Sequence, residues 1–190
     1  MTRRLSDLPL FAWSQELRAN HAKRRRLRRR AAWLASLAAA LTVTIAVPPR
    51  PLLVWNASAS APIGLYWIGS KDELHRGDMV VAWVPKSHRM LAARRQYLPL
   101  NVPIVKRIAA LPGDRICAFG RLVFVNYERV ATRRSHDRAG RKLPWWRGCM
   151  RVRDGASLLL MDHPDSFDGR YFGPTSRGDL IGKASLIWRR

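Results

Sequence analysis

A mainly antiparallel β domain behind one N-terminal apolar helix is the architecture this sequence predicts, on three observations. Residues 31–47 are uncharged, rich in Ala, Leu, Val and Ile, and follow directly on an arginine block. Beyond residue 50 the apolar residues come in short strand-like runs broken by Gly and Pro. No stretch there carries the amphipathic period of a helix of ordinary length. The chain has 190 residues and a hydrophobic fraction of 47%, which suits one packed domain with a short appendage.

The first element is a basic arm, 1–30. Its ten cations (Arg3, Arg4, Arg18, Lys23, Arg24, Arg25, Arg26, Arg28, Arg29 and Arg30) face only Asp7 and Glu16. The whole chain sets 35 Lys and Arg against 13 Asp and Glu, net +22. That balance is extreme for an enzyme of small neutral substrates and points to an anionic partner, nucleic acid or a phospholipid surface.

The second element is an anchor over 31–47. A helix of that length reaches roughly 25 Å, a little short of a ~30 Å hydrocarbon core but enough once flanking side chains snorkel. The positive-inside rule then holds the arginine block in the cytoplasm and exports 48–190. A removed secretory leader is the competing reading, since Ala57-Ser58-Ala59 resembles an Ala-x-Ala cleavage site. Against it, the basic start is long for a leader, and Pro48, Pro49, Arg50 and Pro51 hold the apolar run away from that site. A buried core helix is disfavoured by the adjacent arginines.

The third element is the β-rich remainder. Strands are expected over 65–68, 79–84, 104–109, 122–126, 158–161 and 181–188, separated by breaks such as Gly77-Asp78, Pro112-Gly113, Asp154-Gly155 and Gly173-Pro174. The basic stretch 87–97 is the best helical piece, and 133–142 reads as a polar, mobile insertion.

Two segments carry chemistry. In Ser58-Ala59-Ser60-Ala61-Pro62-Ile63-Gly64, Pro62 pushes Ala61 toward an extended conformation and Gly64 permits close backbone approach. Ser58 and Ser60 then share a face, so one hydroxyl can attack a carbonyl while the other, with a backbone N–H, donates to the oxyanion. In Ile104-Val105-Lys106-Arg107-Ile108, strand alternation sets Lys106 between two isoleucines and turns Arg107 the other way. A lysine of pKa ~10.4 holds almost no free amine at neutral pH, but burial lowers that value and makes it a base. Protection of a strand edge is the alternative role for Lys106, and alternation does not separate the two.

Other chemistries find less support. The five histidines are scattered, without metal-ligand spacing or a serine–histidine–aspartate set. Cys117 and Cys149 are too few for a zinc site; after export they can form a disulfide, with two separate buried thiols as the other option. Trp33, Trp55, Trp67, Trp145 and Trp146 suit either a membrane headgroup region or ordinary packing.

Ser60-Ala61-Pro62 with Gly64-Leu65-Tyr66, then Val105-Lys106-Arg107 leading to Leu111-Pro112-Gly113-Asp114, then Asp165-Ser166-Phe167-Asp168-Gly169-Arg170-Tyr171-Phe172-Gly173-Pro174, resemble the type I signal peptidases in order and content. The first and last blocks look most like the conjugative-transfer, TraF-type branch. The resemblance covers roughly 31–188, and the three blocks together make it specific. It implies a mostly β signal-peptidase fold, Ser60 as nucleophile, Lys106 as general base, Ser58 in the oxyanion hole, Ser166 as a hydrogen-bond partner near the lysine, and a supporting Asp168–Arg170 ion pair. It implies no metal or organic cofactor. Gly169 departs from a usual serine, and Asn126-Tyr127 from a frequent Asn-Gly, which leaves a local turn in question.

The function expected is a serine endopeptidase held in the cytoplasmic membrane, with its catalytic domain in the periplasm. Its partners are signal-peptide-bearing precursors, a pilin precursor above all, and membrane phospholipid. A general secretory leader peptidase is the nearest alternative. A non-catalytic transfer component with a DNA-binding arm is the other, although no nucleic-acid motif accompanies the arginines.

Overall fold

The computed structural model describes residues 9–46 and 51–190. They form two units, helix α1 (Pro9–Ala46) and a β-rich body.

Helix α1 is longer than the expected anchor. It runs back through the arginine block because Ala, Leu, Arg and Lys are all good helix formers, so the basic run continues the helix instead of ending it. Val47, the last residue of the expected span, lies outside the described residues, as do residues 1–8. Among the described residues no helix is long and apolar enough to cross a membrane. The uncharged part of α1, Ala31 to Ala46, covers about 24 Å at 1.5 Å per residue, against ~30 Å of hydrocarbon.

The β-rich body is built from β1 (Leu53–Asn56), β2 (Gly64–Ile68), β3 (Met79–Ala82), β4 (Ile104–Ala110), β5 (Arg115–Phe119), β6 (Leu122–Val125), β7 (Glu128–Thr132), β8 (Gly148–Arg151), β9 (Ala156–Leu160), β10 (Thr175–Ser176) and β11 (Leu180–Arg189). Helix α2 (Lys86–Arg94) follows β3, and the single turn α3 (Gly169–Phe172) precedes β10. A seven-stranded sheet has the order β1-β2-β11-β3-β4-β9-β10, and a four-stranded sheet the order β7-β6-β5-β8. Every pairing is antiparallel.

The middle of the larger sheet is the core. On β3, Val80 and Ala82 pack with Ile104, Ile108 and Leu159, while Val81 between them packs with Tyr66, Val105 and Met161. The alternation of side chains across a strand puts these two sets on opposite faces, so β3 and β4 are buried on both sides. At the β2–β11 crossing, a Cβ on Gly64 would run into the Trp188 carbonyl, which is the close approach that glycine allows.

β5, β7, β8 and the short β1 and β10 were not expected from the sequence. β8 is an exposed strand, held by its pairing with β5 and by the Cys117–Cys149 disulfide, which joins directly opposed residues of the two. The β6–β7 turn survives the loss of the frequent glycine. Asn126 and Tyr127 take φ of 48° and 73°, and Asn126 Nδ2 donates to Asp114 Oδ1 at 2.7 Å to hold the turn.

The insertion 133–142 is not the free loop that its charge suggested. Asp137 accepts hydrogen bonds from the Tyr97 hydroxyl, Arg141 Nε and the backbone N–H groups of Ala139 and Arg141. Arg133, at its start, is fully buried, with its guanidinium 3.7 Å from the centre of the Trp145 ring and donating to the Gly120 carbonyl. Stacking and carbonyl acceptance satisfy this cation without a carboxylate. Trp146 donates its indole N–H to the Gly169 carbonyl at 3.1 Å, so Trp145 and Trp146 serve packing rather than a membrane surface.

Candidate active site

β1 and β2 are joined by a turn that carries Ser58 and Ser60. It is organised by Asn56, a buried residue at the end of β1. The Asn56 carboxamide donates to the carbonyls of Ser58, Ala61 and Pro62 at 2.9, 3.2 and 3.1 Å, and its oxygen accepts the Ser58 N–H at 3.2 Å. The Tyr66 hydroxyl donates to the same Pro62 carbonyl at 2.8 Å. These bonds supply the polar backbone of a tight turn with partners it would otherwise have to find in water.

Within that turn the Ser58 and Ser60 hydroxyls lie 2.9 Å apart, and the Ser60 N–H donates to Ser58 Oγ at 3.3 Å. The two serines therefore share one small polar site.

β4 brings the base to this site. Lys106 pairs opposite Val80 of β3, with Ile104 and Ile108 two residues away on its own strand, and is only 4% exposed. Arg107 points away and pairs with Asp162 at the surface, 3.0 Å. Lys106 Nζ donates to Ser60 Oγ and to Ser166 Oγ, each at 2.8 Å. Burial, the largest influence, lowers the Lys106 pKa to about 8; Asp168 raises it and Arg170 opposes that rise.

Asp168 and Arg170 stand behind the lysine, both buried, and pair at 2.8 Å. Asp168 also caps α3 and accepts the Met161 N–H, while Arg170 donates to the carbonyls of Met161 and Thr132. The pair thus ties the segment bearing Ser166 to Met161, just past β9, and to the end of β7. Gly169, in place of the usual serine, lies against β9 so closely that a Cβ would sit 2.8 Å from the Leu159 carbonyl.

The Ser60 hydroxyl and the lysine amine face a cleft of about 920 Å³. Its lining includes Trp55, Ala57 and Ala59 and a basic set, Arg95, Arg134 and Arg138. The disulfide lies in the four-stranded sheet and does not line this cleft. Asn56 is the site residue that sequence reasoning passed over. The available signal was an asparagine two residues ahead of a serine at a strand end, a common turn-forming arrangement.

Chemically, the site places a hydroxyl beside an amine whose proton is held weakly, with a second hydroxyl and a backbone N–H nearby. That is the equipment for nucleophilic attack on a carbonyl with transfer of the hydroxyl proton to nitrogen.

A family model described as "Signal peptidase, peptidase S26" matches residues 26–189. A "Plasmid transfer protein TraF" of Escherichia coli is 31% identical over 137 residues, covering 66% of this chain and 77% of that protein. A "Conjugal transfer protein TraF" of Agrobacterium fabrum is 29% identical over 142 residues, covering 70% and 80%. The crystal structure of a signal peptidase I from Enterococcus faecalis aligns with TM-score 0.38 at 17% identity, over 61% of this chain and all of that one.

Proposed function

This chain belongs to the peptidase S26 signal peptidase family, and on that premise we propose that it is a serine endopeptidase that cuts leader segments from exported precursors in conjugative transfer, with Ser60 and Lys106 as the reacting pair. The observation that carries this reading is the 2.8 Å contact between Ser60 Oγ and the buried amine of Lys106.

In the proposed reaction, neutral Lys106 Nζ takes the Ser60 proton as Oγ bonds to the carbonyl carbon of the peptide. The oxyanion that forms is met by the Ser58 hydroxyl and the Ser60 N–H, each such donor worth about 3 kcal/mol in comparable sites. The C–N bond then breaks, the Lys106 ammonium returns its proton to the leaving amine, and an ester on Ser60 remains. Water attacks the ester with Lys106 again as base; the C–O bond breaks and Ser60 recovers its proton. Ser166 aims the amine, and the Asp168–Arg170 pair holds Ser166 in place.

Ala57 and Ala59 line the cleft on either side of Ser58, next to the nucleophile, and the substrate we propose lies extended there with alanine-like residues before the cut. The similarity to plasmid and conjugal transfer proteins supports a precursor used in transfer over a general secretory one, and the substrate we propose is a pilin precursor.

The domain plan we propose is a cytoplasmic arm over 1–30, an anchor over 31–47 and an exported body over 48–190. The short apolar end of α1 would cross with its flanking arginines snorkelling to the headgroups. Trp55, Trp67, Leu186, Ile187 and Trp188 lie exposed on the β1–β2–β11 side, with Trp55 and Trp188 centred 5.5 Å apart, and suit an anionic bilayer surface.

The test is processing of a pilin precursor by membranes containing the chain, read by mass spectrometry. Parental cleavage by a Ser60→Ala variant would end this reading.

A further inference from the structure

The basic wall of the cleft has an internal order that the chemistry above does not use. Asp165 precedes Ser166, the second partner of Lys106, by one residue. Its two carboxylate oxygens each receive a guanidinium, Arg134 at 3.0 Å and Arg138 at 2.6 Å. One carboxylate thus gathers two cations, so the cluster keeps a net positive charge beside the dyad. The Asp165 backbone N–H donates to His163 Nδ1 at 3.2 Å, which holds the turn that carries the carboxylate.

The cations retain free hydrogen-bonding capacity. Among the described residues Arg138 pairs through its side chain with Asp165 alone and is otherwise exposed, and Arg134 is half exposed. The other local carboxylate, Asp137, is already occupied by the Tyr97 hydroxyl and Arg141. Arg95 extends the wall, spending one donor on the Lys142 carbonyl. A guanidinium fork with unused donors fits a carboxylate in two-point geometry.

We propose that Arg134 and Arg138, gathered on Asp165, form a receptor for an acidic side chain of the precursor within a few residues of the cut. This rests on the peptidase reading of the dyad. A peptide is favoured over a lipid phosphate because these residues line the same cleft as Ser60. The tie through Asp165 to Ser166 gives the receptor a fixed distance from the reacting atoms, so it reads one position of the substrate rather than overall charge.

The experiment compares precursor peptides that share an Ala-x-Ala cut and differ only in Glu or Gln, scanned over the four positions on each side. Cleavage is by the full chain in detergent micelles, and binding is measured in parallel by fluorescence anisotropy on the Ser60→Ala variant. A Glu preference in kcat/KM of about fivefold at one position is expected, falling with salt. In Arg138→Gln the Glu-to-Gln ratio should drop toward one, and in Arg138→Lys it should be partly restored. Equal values for Glu and Gln at every position would overturn the proposal, as would a preference that survives in Arg138→Gln. Vesicles of phosphatidylglycerol form a third arm: binding weakened by Arg138→Gln with an unchanged peptide ratio would assign these cations to lipid. Failure to cut any peptide would count against the peptidase reading, while the anisotropy ratio would still decide the receptor.

Discussion

Lys106 and Ser166 meet at 2.8 Å from elements sixty residues apart in the chain, and this contact fixes where the lysine amine points. Ser166→Ala should leave the amine free to turn away from Ser60. Losing one hydrogen bond to a charged group is worth about 1.5–3 kcal/mol, so kcat should fall at least about tenfold with KM little changed. The apparent pKa of kcat should also drop below that of the parent, because a donor bond that favoured the ammonium is gone. Single-turnover cleavage across pH measures both.

Activity should rise with pH and level off above about 8. The base must be a free amine, and burial has lowered Lys106 to about 8, so the reactive form gains tenfold per unit below that value. A profile of kcat/KM centred near the ordinary lysine value would refute the assignment of Lys106 as base.

Lys106→Met should abolish cleavage and make the protein more stable. Below pH 8 the folded chain carries a buried ammonium that the unfolded chain carries in water, and the penalty shrinks as pH climbs from about 8 to 10.5. Unfolding free energy of the parent should therefore increase over that window, whereas the methionine variant should show no such slope. At pH 6.5 the gain is about 3 kcal/mol, visible as a raised Tm by circular dichroism in micelles.

Asn56→Ala removes four hydrogen bonds from the turn that bears both serines. A shift of the nucleophile by about 1 Å can cost 10²-fold in rate, and that loss in kcat is the expected outcome. Asn56→Asp should be little better, since a carboxylate cannot donate to the three carbonyls that the amide serves. Parental kcat in either variant would show that the turn holds itself.

Replacing alanine by tryptophan just before the cut should lower kcat/KM about tenfold to a hundredfold, because overpacking a tight site costs about 1–3 kcal/mol. Precursors with Ala, Leu or Trp there, cleaved side by side, decide it; equal rates would remove the small-pocket picture.

Alternation made β4 legible from sequence, and with it the shared face of Lys106, Ile104 and Ile108 and the outward turn of Arg107, but not the burial of Lys106, which depends on β3 and β9 flanking β4. The motif blocks brought Ser60, Lys106, Ser166, Asp168 and Arg170 onto one list, and the structure places them in one site. Asn56 was hidden because its worth lies in four bonds to backbone atoms, which exist only once the turn is formed. Arg133 was misread because charge suggests solvent, and only the fold supplies the indole faces that bury it. The strands β7 and β8 lack an apolar face and depend on their neighbours, so no local pattern announces them. The start of α1 was missed for the opposite reason: arginine signals a membrane boundary and a helix former at once.

The turn held by Asn56 has a further result for the molecule's own survival. Ala57-Ser58-Ala59 has the small-x-small spelling of a leader cleavage site, directly before Ser60. Of this segment the Ser58 carbonyl is turned inward onto the buried Asn56 carboxamide, as are those of Ala61 and Pro62 just beyond it, so the stretch is not offered as a free extended strand. On the proposed peptidase reading, the folded turn withholds this segment from any other copy of the chain, and loosening it would expose the Ala59–Ser60 bond to the same chemistry.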